Sequence, residues 1–146
     1  MKRQALMILA TLSLFVMLTA TSVHAQSDIH LKVNIPFEFS VREKTFPAGE
    51  YTVRYVTQGV LSIQSVDSNA VQTFMTLSAR TNTKPDKSSV VFNRYGDQYF
   101  LSTIWRAGDN TGLALRRPHA EELIRAKRLL ATSASEHQTV SIVAHR

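Results

Sequence analysis

The chain of 146 residues contains no cysteine. That excludes disulfide staples, thiolate chemistry and a lipid anchor on cysteine, so the folded domain relies on packing alone. Glycine is scarce, with five in the whole chain, and no glycine-rich loop that could cradle a phosphate is present. No Gly-x-Ser-x-Gly occurs, so the sharp turn that exposes a nucleophilic serine is missing. Beyond residue 25 no apolar run approaches the ~20 residues that a bilayer-spanning helix needs. There is no internal repeat and no low-complexity tract.

What is present begins with an address. Lys2 and Arg3 precede a mainly apolar stretch from Ala5 to Ala20, and Val23-His24-Ala25 then offers compact residues at positions −3 and −1 before Gln26. This is the three-part plan of a secretory signal peptide. The apolar core is short and is interrupted by Thr11, Ser13 and Thr19, which argues against a retained membrane anchor. We therefore expect removal of residues 1–25 and an exported product, periplasmic or extracellular. Residues 26–146 then form one β-rich domain of 121 residues, long enough to bury a core unaided. The full chain has 17 basic and 11 acidic residues; without Lys2 and Arg3 the balance is 15 to 11, a net of +4. Such a surface suits anionic partners without requiring one.

Period-two alternation dominates the mature chain. Ile29, Leu31, Val33, Ile35, Phe37, Phe39 and Val41 alternate with polar residues and Pro36. Side chains on a strand point to opposite faces, so this stretch predicts a strand with one buried face. Pro36 cannot donate a ladder hydrogen bond and marks an edge, a bulge or a break. Further strands are expected around Tyr51–Tyr55, Leu61–Ile63 and Val71–Ala79, and residues 80–87 as an exposed loop. Ser89 to Tyr95 and Gln98 to Trp105 flank Gly96-Asp97 as a hairpin. Residues 108–112 (Gly-Asp-Asn-Thr-Gly) read as a turn, and Val140, Ile142 and Ala144 as a last strand. The expected architecture is mainly β, an antiparallel sandwich or flattened barrel with one C-terminal helix. That helix spans about 118–131: Pro118 suits its first position, Glu121 and Glu122 its start, and Arg125, Lys127 and Arg128 its end.

Asn34-Ile35-Pro36-Phe37-Glu38-Phe39, then Phe46-Pro47-Ala48-Gly49-Glu50-Tyr51-Thr52-Val53, resemble a group of small exported proteins of uncharacterised function, frequent in soil bacteria such as the acidobacteria. The segment Val91 to Leu101 with Trp105 resembles that group's hairpin, and Gly112 to Glu122 its route into a helix. The resemblance covers nearly all of the mature chain. It implies export and a β-rich domain, and it implies no activity, cofactor or catalytic residue.

Candidate chemistry is sparse. His30, His119, His137 and His145 have neither the i, i+2 strand spacing nor the i, i+4 helix spacing of a metal pair. On one strand His137 and His145 would lie roughly 26 Å apart. We expect surface histidines, no metal site and no cofactor. Glu38, Glu43 and Glu50 lie close in sequence but read as solvated residues rather than a glycosidase pair. No catalytic residue is assigned.

Three surface constellations remain. Arg116, Arg117, Arg125, Lys127 and Arg128 fall within 13 residues and form a candidate anion-binding patch. The bland reading is a solvated helix face, with Glu121 paired to Arg125 at i, i+4. Asn93-Arg94-Tyr95 with Tyr99 and Phe100 mixes cations and rings as single-strand binders do, but reads more simply as cross-strand packing. Tyr51, Tyr55, Tyr95, Tyr99 and Trp105 are candidates for a sugar-stacking platform, with core packing as the default.

The expectation is thus a non-catalytic exported domain that binds or supports an unknown envelope component or anionic polymer. Nucleic acid is not an expected partner, and the oligomeric state is not readable. The alternative is a barrel holding a small lipid-like ligand in an interior lined by Phe37, Phe39 and Leu77; a hydrolase stands third.

Overall fold

The structure, a computed structural model, describes residues 30–130 and 138–145. Residues 1–25, expected as a signal peptide, Ile29, Ala131 at the expected helix end, and His137 lie outside the described residues. The described chain is mainly β with one helix: β1 (His30–Ile35), β2 (Phe39–Val41), β3 (Lys44–Phe46), β4 (Gly49–Thr57), β5 (Val60–Ser65), β6 (Val71–Arg80), β7 (Ser89–Tyr95), β8 (Gln98–Trp105), β9 (Thr111–Leu115), α1 (His119–Leu130) and β10 (Gln138–Val143).

Pro36 breaks the first alternating run, ending β1 at Ile35 and letting the chain resume as β2 at Phe39. Strands β1, β4, β5 and β6 pair antiparallel in that order. Val56 sits at the bulge where β4 slips against β5 and is turned out to solvent. Strand β6 serves two neighbours: residues 71–75 pair with β5, and residues 76–80 with β9. From β9 the ladder runs through β8 and β7 to β10. The β2–β3 hairpin lies beside β8, where Ser40 meets Phe100 in the one parallel pairing among the described strands. Lys32 in β1 and His145 beyond β10 exchange backbone hydrogen bonds of 2.7 and 2.8 Å. This single bridge pins the outer edges together, and the sheet is flattened rather than closed.

The interior holds one continuous apolar cluster. Phe39 stacks on Phe46 at 5.5 Å and meets Tyr51 and Phe92 edge-on at 5.0 and 5.4 Å. Leu31, Val33, Ile35, Val53, Leu61, Ile63, Val90, Leu101, Ile104 and Leu115 complete the core. The Pro-Ala-Gly-x-Tyr motif has a local cause: the Tyr51 hydroxyl donates to the Pro47 carbonyl at 2.6 Å, tying the turn to the strand it feeds. Burial, then the Asp67 charge, pushes the Tyr51 phenol above its ordinary range.

Three expectations change. First, β3 is a strand where none was expected. Its hairpin turns through Arg42, a non-glycine residue at φ 57°, so no glycine announces it. Second, Thr111 and Gly112 belong to a strand rather than a turn. The Trp105 ring lies over Gly112 so closely that a Cβ there would stand 2.5 Å from it, which is why this strand position takes glycine. Third, β6 shows the opposite face to the one its apolar set suggests. Phe74 enters the core, while Val71, Met75 and Leu77 are exposed. Leu77 therefore lines no interior, and Thr76 Oγ1 is buried without a hydrogen-bond partner.

Candidate functional site

Helix α1 begins one residue later than expected: the buried Pro118 acts as its cap, its carbonyl accepting the Glu122 amide at 3.2 Å. Its acidic first turn and basic last turn match the helix dipole. Twelve residues make a marginal helix in isolation, so its docking matters. Its apolar residues provide little of it: Leu123, Leu129 and Leu130 are exposed and Ile124 is half-buried. Glu121, at 1% exposure, is the one buried residue of the helix.

Glu121 reaches onto β7. Its Oε1 accepts Nδ2–H of Asn93 at 2.8 Å and the hydroxyl of Tyr95 at 3.1 Å. Asn93 and Tyr95 are two apart on a strand, so their donors share a face. The Arg117 guanidinium lies 3.6 Å from the same oxygen. Glu121 was expected to be solvated and paired with Arg125; it is buried and paired with Arg117, one turn earlier instead of one turn later. At the other end of the helix Arg128 lies over the Tyr95 ring, 5.6 Å from its centroid, while Tyr95 meets Phe100 edge-on at 6.0 Å. Tyr95 thus contacts both ends of the helix. Burial, and after it the Glu121 charge and hydrogen bond, raise its phenol pKa; Arg117 and Arg125 partly offset this.

The five basic residues divide. Arg117 and Arg128 are engaged with Glu121 and Tyr95. Arg116, Arg125 and Lys127 are exposed. Lys127 is two residues after Arg125 and so is rotated about 200° round the helix from it. The candidate aromatic platform is committed to packing: Tyr51 in the core, Tyr55 packed against it, Tyr95 under the helix, Trp105 on Gly112, and Tyr99 stacked on Phe37 at 3.8 Å. Arg94 sits over Tyr99, its partner on the neighbouring strand, at 5.5 Å, as cross-strand packing.

Two surface clefts stand elsewhere. One of about 650 Å³ lies at the pinned edge, lined by Lys87, Arg106, Asp109 and His145 among others. In it Asp109 accepts from Arg106 at 2.6 Å and from the Thr111 amide at 2.9 Å. The amide bond, then the guanidinium, hold its carboxyl below the usual range. The other, about 220 Å³, has Glu38, Asp97, Ser40 and Thr45 in its wall. Glu43 and Glu50 are exposed. Among the described residues no three His, Asp or Glu side chains gather as a metal site, and no helix is long and apolar enough to cross a membrane.

Fold and helix seat together define a flattened β-sandwich whose helix is pinned across one hairpin by a buried carboxylate. The chain matches no protein-family model, no curated protein and no solved structure.

Proposed function

We propose that this is an exported, non-catalytic β-domain that binds an anionic component of the cell envelope through helix α1. The observation that supports it is the way the helix is held. With the helix seated by this polar pin, Arg125 and Lys127 on it and Arg116 just before it are exposed, on a chain whose net charge is +4 once residues 1–25 are removed. Exposed cations attract anionic surfaces, and the attraction is screened by salt. The packed interior and the committed aromatic rings leave the outer surface as the place where contacts are made.

The test uses protein purified after export from the full-length gene. Its amino terminus is expected at Gln26, and a Met1 start would refute processing. Retention on immobilised heparin should fall as salt rises, and Arg116→Ala with Arg125→Ala and Lys127→Ala should shift elution to lower salt. Retention that ignores salt, or the same elution for the triple variant, removes the reading.

A further inference from the structure

The cleft of about 650 Å³ at the pinned edge is separate from helix α1. Its size falls within the roughly 300–1,000 Å³ of small-molecule sites. Three segments distant in sequence build it: residues 87–88 before β7, residues 106–109 after β8, and residues 143–145 at the end of β10. These segments are cross-braced. The Gly108 amide donates to the Pro85 carbonyl at 2.8 Å, the Ala107 amide to Ser88 Oγ at 3.1 Å, and the Ala144 amide to the Ser88 carbonyl at 2.8 Å. The exchange between His145 and Lys32 closes the frame. Walls tied in this way stand before a ligand arrives, which lowers the ordering cost of binding.

The lining has two chemistries. Leu31 and Ala144, 3% and 5% exposed, line its depth and belong to the apolar core, and Val143 adds an exposed apolar wall. The charged lining is mostly basic. Its carboxylate, Asp109, is already held by Arg106 and by the Thr111 amide. Lys87 Nζ and the His145 ring make no hydrogen bond or ion pair among the described residues. Arg106 spends one nitrogen on Asp109 and keeps further N–H donors, and Ser88 Oγ accepts from Ala107 while keeping its own proton to donate. Asp86 is exposed in the same loop but outside the lining, and Lys84 two residues earlier offsets its charge.

We propose that this cleft binds a small organic anion, an aliphatic chain or ring ending in one carboxylate or phosphate. The apolar body lies on Leu31, Val143 and Ala144. The head accepts hydrogen bonds from Lys87, Ser88 and the free N–H groups of Arg106, with His145 beside it. An inorganic anion leaves the apolar depth unused, and a cationic amphiphile meets Lys87 and Arg106 as like charges. This site is independent of the anionic reading of α1 and goes beyond it.

The probes are octanoate, octyl phosphate, inorganic phosphate and octylamine, titrated calorimetrically into the exported protein, with amide chemical shifts to locate the site. Octanoate, octyl phosphate or both should bind, and their relative strength identifies the preferred head. Shift changes should centre on residues 87–88, 106–109 and 143–145. Shortening octanoate to butyrate should weaken binding about fourfold per methylene lost from the apolar depth. Lys87→Ala should weaken it about tenfold, since it removes a charged donor. Ala107→Glu, at an exposed lining position, should abolish it. Arg116→Ala with Arg125→Ala and Lys127→Ala should leave it unchanged, so that this site and the helix reading fail separately.

No binding of either octyl anion overturns the proposal. So does inorganic phosphate binding as tightly as octyl phosphate, or octylamine binding as tightly as octanoate. Binding that ignores chain length shows that the apolar depth is not used and overturns it too. Binding that survives both Lys87→Ala and Ala107→Glu places the ligand elsewhere and overturns the assignment of this cleft.

Discussion

Tyr51 and Tyr95 are both buried phenols, and the regions around them are held by different forces. Tyr51 sits among Phe39, Phe46 and the aliphatic core, where non-directional burial dominates and its hydroxyl needs one carbonyl, that of Pro47. Tyr95 sits under a helix that buries a single side chain, and its hydroxyl shares the Glu121 oxygen with Asn93 and Arg117. Packing spread over many rings loses stability gradually when one part is altered. A seat built on one carboxylate oxygen can be removed by one substitution. The sandwich and the helix are therefore expected to be separable units of stability.

Phe39→Ala tests the packed side of this contrast with the largest effect. It leaves a cavity among three rings and should cost about 3–5 kcal/mol, read as a fall in the thermal midpoint of the whole domain. A loss under about 1 kcal/mol would mean that the cluster is loosely packed. Glu121→Ala comes next, at about 2 kcal/mol, since it removes a charged acceptor from two buried donors. Its signature is local: amide exchange should accelerate across residues 119–130 while β4 and β5 stay protected. Equal acceleration everywhere would show that helix and sandwich unfold together.

The smallest effect is expected at high pH. The folded pKa of Tyr95 lies above its unfolded value near 10, so its contribution is complete below that value and is lost as pH rises through the folded one. Exchange in residues 119–130 should therefore quicken above about pH 10, and Tyr95→Phe should flatten that dependence. An unchanged alkaline profile in the variant would place the effect at Tyr51 instead.

Much of the sandwich could be read without coordinates. Leu31, Val33 and Ile35 alternate and are all buried, Pro36 breaks the run, and Gly96-Asp97 turns the hairpin with Gly96 at φ 67°. Each of these features is written in neighbouring residues. The reading failed where partners decide. Strand β6 presents five small or apolar residues on one face, but Phe74 on the other pairs opposite Leu61, and one aromatic ring in the core outweighs the row outside it. Gly112 resembled a turn residue because Trp105, the ring that excludes a side chain there, is seven residues away. Glu121 resembled an ordinary first-turn carboxylate. Its signal was present in Asn93 and Tyr95, two donors on one strand face, but they lie 28 and 26 residues before it.

The period-two pattern and the absence of cysteine by themselves determined that the chain makes a β-rich domain held by packing, because alternation and covalent capacity are properties of the chain read residue by residue. Which face of β6 is buried, and which side of α1 meets the sheet, only the tertiary structure decided. Both depend on the burial of a single large or charged side chain among partners distant in sequence.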